Sequence, residues 1–291
     1  MKDRRLLGRL LVLALVPLAA GPVPAARDGA PAFAGSRAPQ PPLVLEYVAN
    51  AGVLVSSGDL KVLIDALFDK PNPEYRAPAP GVLDRIMSGT APFDGIDAVL
   101  VTHNHPDHFD PALAVRFLES SAGPLLLAPA DAVEAMRRAS ADWAGIEARV
   151  VPVDVKVGEK AERHLGPIPV TAFRTLHGPQ ESPMNLMVLF ELGGWRIFHE
   201  GDSPGRIDDF RAMGLDSPPV DLALVHFWFP LDPDCARFLQ EVLKPGHVAL
   251  THLPVRLEND APGKIERIRS DYQDLILLLP GMEPRVFRKG Q

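Results

Sequence analysis

The chain has 291 residues, of which 46% are hydrophobic and 23% charged, with a net charge of −7 and a pI near 5.7. This composition excludes a disordered or fibrous chain and supplies core for one large domain. The acidic balance excludes the basic stripes of a nucleic-acid binder, and the lone Cys235 excludes an internal disulfide.

The N-terminus differs from the rest. Met1-Lys-Asp-Arg-Arg-Leu-Leu-Gly-Arg9 is basic, Leu10–Ala20 is apolar, and Pro22-Val-Pro-Ala-Ala26 offers small residues for cleavage. An apolar run this short, interrupted by Pro17, predicts a signal peptide over residues 1–26 rather than a membrane span. A Pro/Ala-rich linker follows over 27–42, and one domain occupies 43–291. The expectation is an exported protein, periplasmic or extracellular, with no membrane span once mature.

Apolar runs bounded by turn residues predict strands at Leu43–Ala49, Val53–Ser56, Val62–Asp65, Ala98–Thr102, Leu125–Ala128 and Arg149–Val153. A second series follows at Val170–Phe173, Leu186–Glu191, Arg196–His199, Leu222–Val225, Val248–Thr251 and Arg285–Phe287. Helices are predicted at Pro111–Ser120, Ala130–Ser140, Arg206–Met213, Pro233–Leu243 and Pro262–Tyr272. Two strand–ligand–helix halves recur, before and after about residue 165. Between Asp65 and Asp94 runs a Pro-rich insertion, expected to be a disordered segment or a lid carrying Phe68, Tyr75 or Arg76.

Chemistry-bearing residues cluster at strand ends. Thr102-His-Asn-His-Pro-Asp-His-Phe-Asp110 sets three histidines and a carboxylate on a loop between a strand and a helix capped by Asp110-Pro111. Neutral imidazole and carboxylate are the donors that a borderline-soft Zn²⁺ prefers. Three distant strands each end in a further ligand-type side chain: His177 before Gly178, Asp202 after Gly201, and His252 before Leu253-Pro254. His226 also ends a strand, beside the aromatic run Phe227-Trp228-Phe229.

The order His-x-His-x-Asp-His, then His, Gly-Asp and Thr-His, resembles the metallo-β-lactamase superfamily over essentially all of residues 43–291. The resemblance implies an α/β fold, a four-layer αββα sandwich with its site on one edge. It implies that His103, His105 and His177 hold one metal, that Asp107, His108 and His252 hold a second, and that Asp202 bridges them. A bridging Asp is found in the superfamily's lactonases, glyoxalases and phosphodiesterases rather than in its β-lactamases proper, so antibiotic hydrolysis is disfavoured. The segments Leu45–Val55 and Lys61–Leu67 look most like the L-ascorbate-6-phosphate lactonase-like branch.

By that resemblance the protein is expected to be a dinuclear-zinc hydrolase (Mn²⁺ or Fe²⁺ being alternatives). Its bridging hydroxide would cleave an ester, lactone or phosphodiester of a small-molecule substrate. Asp107 is expected to carry a proton to the leaving group, and His226 to serve as proton donor or substrate contact. Asp65, Thr102, Asn104 and Thr251 are candidates for orienting the ligand imidazoles, and His199 is expected beside them. His164 is expected on the surface, and His247 is expected to point away from the site. The alternatives are a mononuclear-iron oxygenase on the same fold, which metal analysis would separate, and a non-catalytic metal- or ligand-binding module.

Overall fold

The computed structural model describes residues 40–205, 214–215 and 218–289. All of them belong to the second of two compact units, Gln40–Gln291. The expected signal peptide, most of the linker and the helix expected at Arg206–Met213 lie outside the described residues.

Fourteen strands among the described residues form two seven-stranded sheets. The first takes β1 (Leu43–Ala49), β2 (Gly52–Ser57), β3 (Leu60–Ile64), β4 (Ala98–Leu100), β5 (Leu125–Pro129), β6 (Val150–Val153) and the C-terminal β14 (Arg285–Phe287), in the order β14-β1-β2-β3-β4-β5-β6. The second takes β7 (Lys160–Leu165), β8 (Ile168–His177), β9 (Gln180–Leu192), β10 (Trp195–His199), β11 (Leu222–His226), β12 (His247–Thr251) and β13 (Leu275–Leu277), in the order β13-β12-β11-β10-β9-β8-β7.

The sheets repeat one design. In the first, β14, β1, β2 and β3 pair antiparallel and β3 to β6 continue in parallel. In the second, β7 to β10 pair antiparallel and β10 to β13 continue in parallel. Parallel strands need covered crossovers and so recruit helices to the outer faces. The two halves read from the sequence correspond to these two sheets, except that β14 from the second half joins the first sheet.

Side-chain alternation sorts each strand between two cores. Val62 and Ile64, Ala98 and Leu100, Leu222 and Leu224 fill the layer between the sheets. Leu63, Val99 and Val101 instead meet the helical layer of α1 (Val82–Ser88), α2 (Pro111–Ser120) and α3 (Ala130–Ala139). Ala223, Val225, Val248 and Leu250 meet the opposite layer, which contains α4 (Pro233–Arg237) and α5 (Ala261–Ile268). The four-layer sandwich follows.

Helix starts behave as the sequence predicts. Asp110 accepts a hydrogen bond from the Leu113 amide, and Asp232 accepts from Asp234 and Cys235. The helix expected to run to Leu243 changes character after α4, continuing as a π-helical turn over Phe238–Leu243. Cys235 is buried with its Sγ against the Gly205 carbonyl, a packing residue.

Among strands and α-helices of the described residues, β7, β13 and α1 were not anticipated. β7 carries Lys160, Glu162, Arg163 and His164, and its charges mask the strand pattern; as an edge strand it tolerates them. β13 has only three residues. The helix α1 lies inside the Pro-rich insertion and is capped at both ends by left-handed glycines, Gly81 and Gly89. The insertion is therefore structured, and Phe68 is a fully buried core residue that cannot serve on a lid.

Candidate metal centre

The chain ends of strands from both sheets converge on one edge. The β4–α2 loop contributes His103, His105, Asp107 and His108. β8 ends on His177, the turn after β10 carries Asp202, β11 ends on His226, and His252 follows β12. Ligand atoms of His103, His105, His177 and Asp202 all lie within 4.8 Å of one another, as do those of Asp107, His108 and His252.

Asp202 stands between these groups. Its Oδ2 is 3.5 Å from His103 Nε2 and 3.2 Å from His177 Nε2, whereas its Oδ1 is 3.3 Å from His108 Nε2. Asp107 Oδ2 lies 3.2 Å from His252 Nε2 and 3.6 Å from His108 Nε2. The imidazoles crowd around the two carboxylates, with ring centroids of His103 and His108 4.1 Å apart in a tilted contact and of His105 and His177 4.4 Å apart edge-on.

The far side of the rings is tied down. Asp65 Oδ2 receives the Thr102 hydroxyl at 2.6 Å and lies 2.9 Å from His108 Nδ1. Its Oδ1 receives the Thr102 amide at 2.8 Å. Because the Thr102 hydroxyl donates to Asp65, it accepts from His103 Nδ1 at 3.0 Å. The Nδ1 of both imidazoles is therefore directed outward and each Nε2 inward, where it can coordinate an ion once it carries no proton. Asp65 does this at a φ of 43°, and His252 sits at 56°, backbone conformations that non-glycine residues seldom adopt.

Electrostatics follow from this crowding. Burial, then the neighbouring His108, holds the His103 imidazole well below its ordinary range. Burial and His252 push His226 down to about 4. Burial also pushes against a charged His108, but Asp202, Asp65 and Asp107 outweigh it and raise the ring to about 9. Asp202 is held well below the usual carboxylate range, burial being overcome by His108, His103 and His252.

The donor set fits divalent ions. The Nε2 atoms of His103, His108 and His252 are buried and have no hydrogen-bond partner. An unsatisfied buried nitrogen costs about 1–3 kcal/mol, and three converging on the same carboxylates form a site that a Lewis acid would relieve.

Other expectations resolve individually. His226 lies with Nε2 3.0 Å from Asp202 Oδ1 and within ligand distance of His252, so it faces the site more closely than a mere edge residue. Its backbone amide and Nδ1 both approach the buried Glu200 carboxylate. His199 is buried behind the site and accepts the Gly201 amide. Thr251 donates to the Val225 carbonyl and serves the strand rather than a ligand. His164 is exposed, and His247 pairs with Asp274 at the opposite end of β12.

Asn50 and Asn185 escaped sequence reasoning. Asn50, in the β1–β2 turn, donates to the Asp107 carboxylate and main-chain oxygen, both at 3.0 Å, and its carbonyl accepts the His252 amide. Asn185 on β9 accepts the Asp202 amide at 2.9 Å and donates to Thr175. An Asn-Ala-Gly turn and an Asn inside an apolar strand were the available signals. Gly201 is required beside it: at a φ of 59°, an added Cβ would come within 2.6 Å of Asn185 Oδ1.

Above Asp202 opens a cleft of about 390 Å³, lined by Tyr75, Phe227, Trp228, Leu257 and Arg256 among others. The Tyr75 ring stands edge-on to His252, with centroids 4.4 Å apart. Of the three residues expected on a lid, Tyr75 reaches the cleft, whereas Arg76 pairs with Glu258.

Residues 61–258 match the beta-lactamase superfamily domain, and the chain belongs to that superfamily. A metal-dependent hydrolase of Thermus thermophilus is 26% identical over 224 residues, covering 75% of this chain and 88% of its own length. Among solved structures, the metallo hydrolase Igni18 from Ignicoccus hospitalis has a TM-score of 0.59 at 17% identity, covering 85% of this chain and 99% of that one. The β-hydroxylase CmlA has a TM-score of 0.57 at 20% identity, covering 86% of this chain and 54% of that one. A second structure describes CmlA as a diiron enzyme from Streptomyces venezuelae. At these identities both structures speak to the fold.

Proposed function

We propose that this metallo-hydrolase is a dinuclear zinc enzyme, exported from the cell, that cleaves an ester, lactone or phosphodiester of a small molecule. His103, His105 and His177 would hold one ion, Asp107, His108 and His252 the other, and Asp202 would serve both. The observation that carries this reading is the convergence of three buried, unpartnered Nε2 atoms on the two oxygens of Asp202. When bound, the ions supply Lewis-acid chemistry, acidifying a water and polarising a carbonyl or phosphoryl oxygen.

The chain's own groups do the rest. Asn50 fixes the Asp107 carboxylate, which would take up a proton and pass it to the leaving oxygen. His226, buried between Glu200 and Asp202, offers a second imidazole at the floor of the cleft. Tyr75 and Trp228 line its walls with aromatic surface. The export proposal rests on the basic, apolar and small-residue segments of residues 1–26. No helix among the described residues is long and apolar enough to cross a membrane.

The test is hydrolysis of bis(4-nitrophenyl) phosphate and of a simple lactone by metal-loaded protein, with and without chelator. Chelator-sensitive turnover that disappears in His105→Ala supports the proposal; inert metal-loaded protein refutes it. A second reading, oxygen chemistry, draws on His226 as an additional nitrogen within ligand distance of Asp202 and His252. Iron in place of zinc in the purified protein would favour it.

A further inference from the structure

Two segments remote in sequence build one wall of the cleft. The Val255 amide donates to the Glu74 carbonyl at 2.9 Å, joining the insertion to the turn after His252. Arg76 closes the same seam with a two-pronged pair to Glu258, at 2.5 and 2.6 Å. Tyr75 is thereby pinned against His252.

This seam leaves two guanidinium groups at the cleft mouth in different states. Arg76 is neutralised by Glu258. Arg256 lines the cleft, is exposed, and has no carboxylate within ion-pair distance among the described residues. Tyr75, Phe227, Trp228 and Leu257, which line the same cleft, give it an apolar surface. A guanidinium is the side chain best suited to grip a carboxylate or phosphate in two-pronged fashion.

We infer that Arg256 recognises a negative charge on the substrate, which is an anionic ester or lactone with an apolar segment between its scissile bond and its charge. The inference rests on the hydrolase reading above. Asp65, Asp107, Asp202 and a hydroxide would together balance two divalent ions, so Arg256 supplies the excess positive charge that favours an anion. Glu74, the acidic group at the same mouth, opposes it; its contribution has the opposite sign to that of Arg256.

The test compares adipate with hexanoate, chains of equal length that differ by one carboxylate, binding to the metal-loaded protein by calorimetry. Metal content is measured first. Wild-type protein binds adipate about tenfold more tightly than hexanoate, the scale of one charge-assisted contact. In Arg256→Ala the ratio collapses to the statistical preference of a molecule with two equivalent carboxylates. Arg256→Lys retains part of the preference, and Glu74→Gln increases it. An unchanged ratio in Arg256→Ala, or a decrease in Glu74→Gln, overturns the inference while leaving chelator-sensitive hydrolysis untouched. Absence of bound metal overturns the hydrolase reading and this inference together.

Discussion

Asp65 holds His108 from behind: the carboxylate lies 2.9 Å from Nδ1, and the opposite nitrogen of the same ring faces Asp202 at 3.3 Å. The same carboxylate takes the Thr102 hydroxyl, which in turn orients His103. One buried side chain at the end of β3 thus sets the rings of a residue from each proposed ion. Asp65→Asn should lower metal affinity by about 10- to 100-fold while the protein still folds. Competition against a chromogenic chelator measures this, and wild-type affinity in Asp65→Asn would show that the contact is only structural.

The Gly201 backbone is confined by Asn185 and by the Leu186 carbonyl, which an added Cβ would meet at 2.6 and 2.7 Å. Gly201→Ala must strain a φ of 59° and displace Asn185, so it should destabilise by about 1–3 kcal/mol. Because Asn185 also positions the Asp202 amide, metal affinity should fall with it. Denaturant unfolding of the ion-free protein separates the stability loss from the loss of metal binding.

Acid and alkali should act on the ion-free protein through different histidines. The buried His226 has a folded pKa depressed to about 4, so its contribution is present above about 6.5 and lost as pH falls through about 4. His108 is raised to about 9, so its contribution is present below about 6.5 and lost as pH rises through about 9. These two groups place their joint optimum near neutrality. Metal uptake near neutral pH must displace the His108 proton. Calorimetry in buffers of different ionisation enthalpy should register that release; metal binding without proton release would contradict the His108 assignment.

The Arg76–Glu258 pair lies at the surface, with Arg76 46% exposed. Arg76→Ala should therefore change stability by less than about 1 kcal/mol. Its effect should appear in substrate binding, because the pair anchors the segment carrying Tyr75. Steady-state kinetics should show KM rising more than kcat falls.

The ligand-type residues at strand ends were legible because the chain repeats one device: an apolar run stops and a His or Asp follows. Twelve of the fourteen described strands were legible as apolar runs bounded by turn residues, and their division into two halves was legible too, but the antiparallel-then-parallel order within each sheet was not. What escaped was set by tertiary geometry. Asn50 and Asn185 look like ordinary turn and strand residues until folding brings Asp107 and Asp202 to them. β7 was hidden because an edge strand can carry charge along most of its length. In the Pro-rich insertion, Phe68 and Tyr75 are seven residues apart, yet one is core and the other faces the site; no period in that segment distinguishes them.

Asp202 would serve two ions at once, and the site depends on it. Elemental mass spectrometry on purified wild-type protein and Asp202→Ala measures this directly, with circular dichroism confirming that the variant is folded. Two zinc ions should be found per wild-type chain, and the folded variant should lose both. One ion per wild-type chain, or two retained by Asp202→Ala, would contradict this role of Asp202.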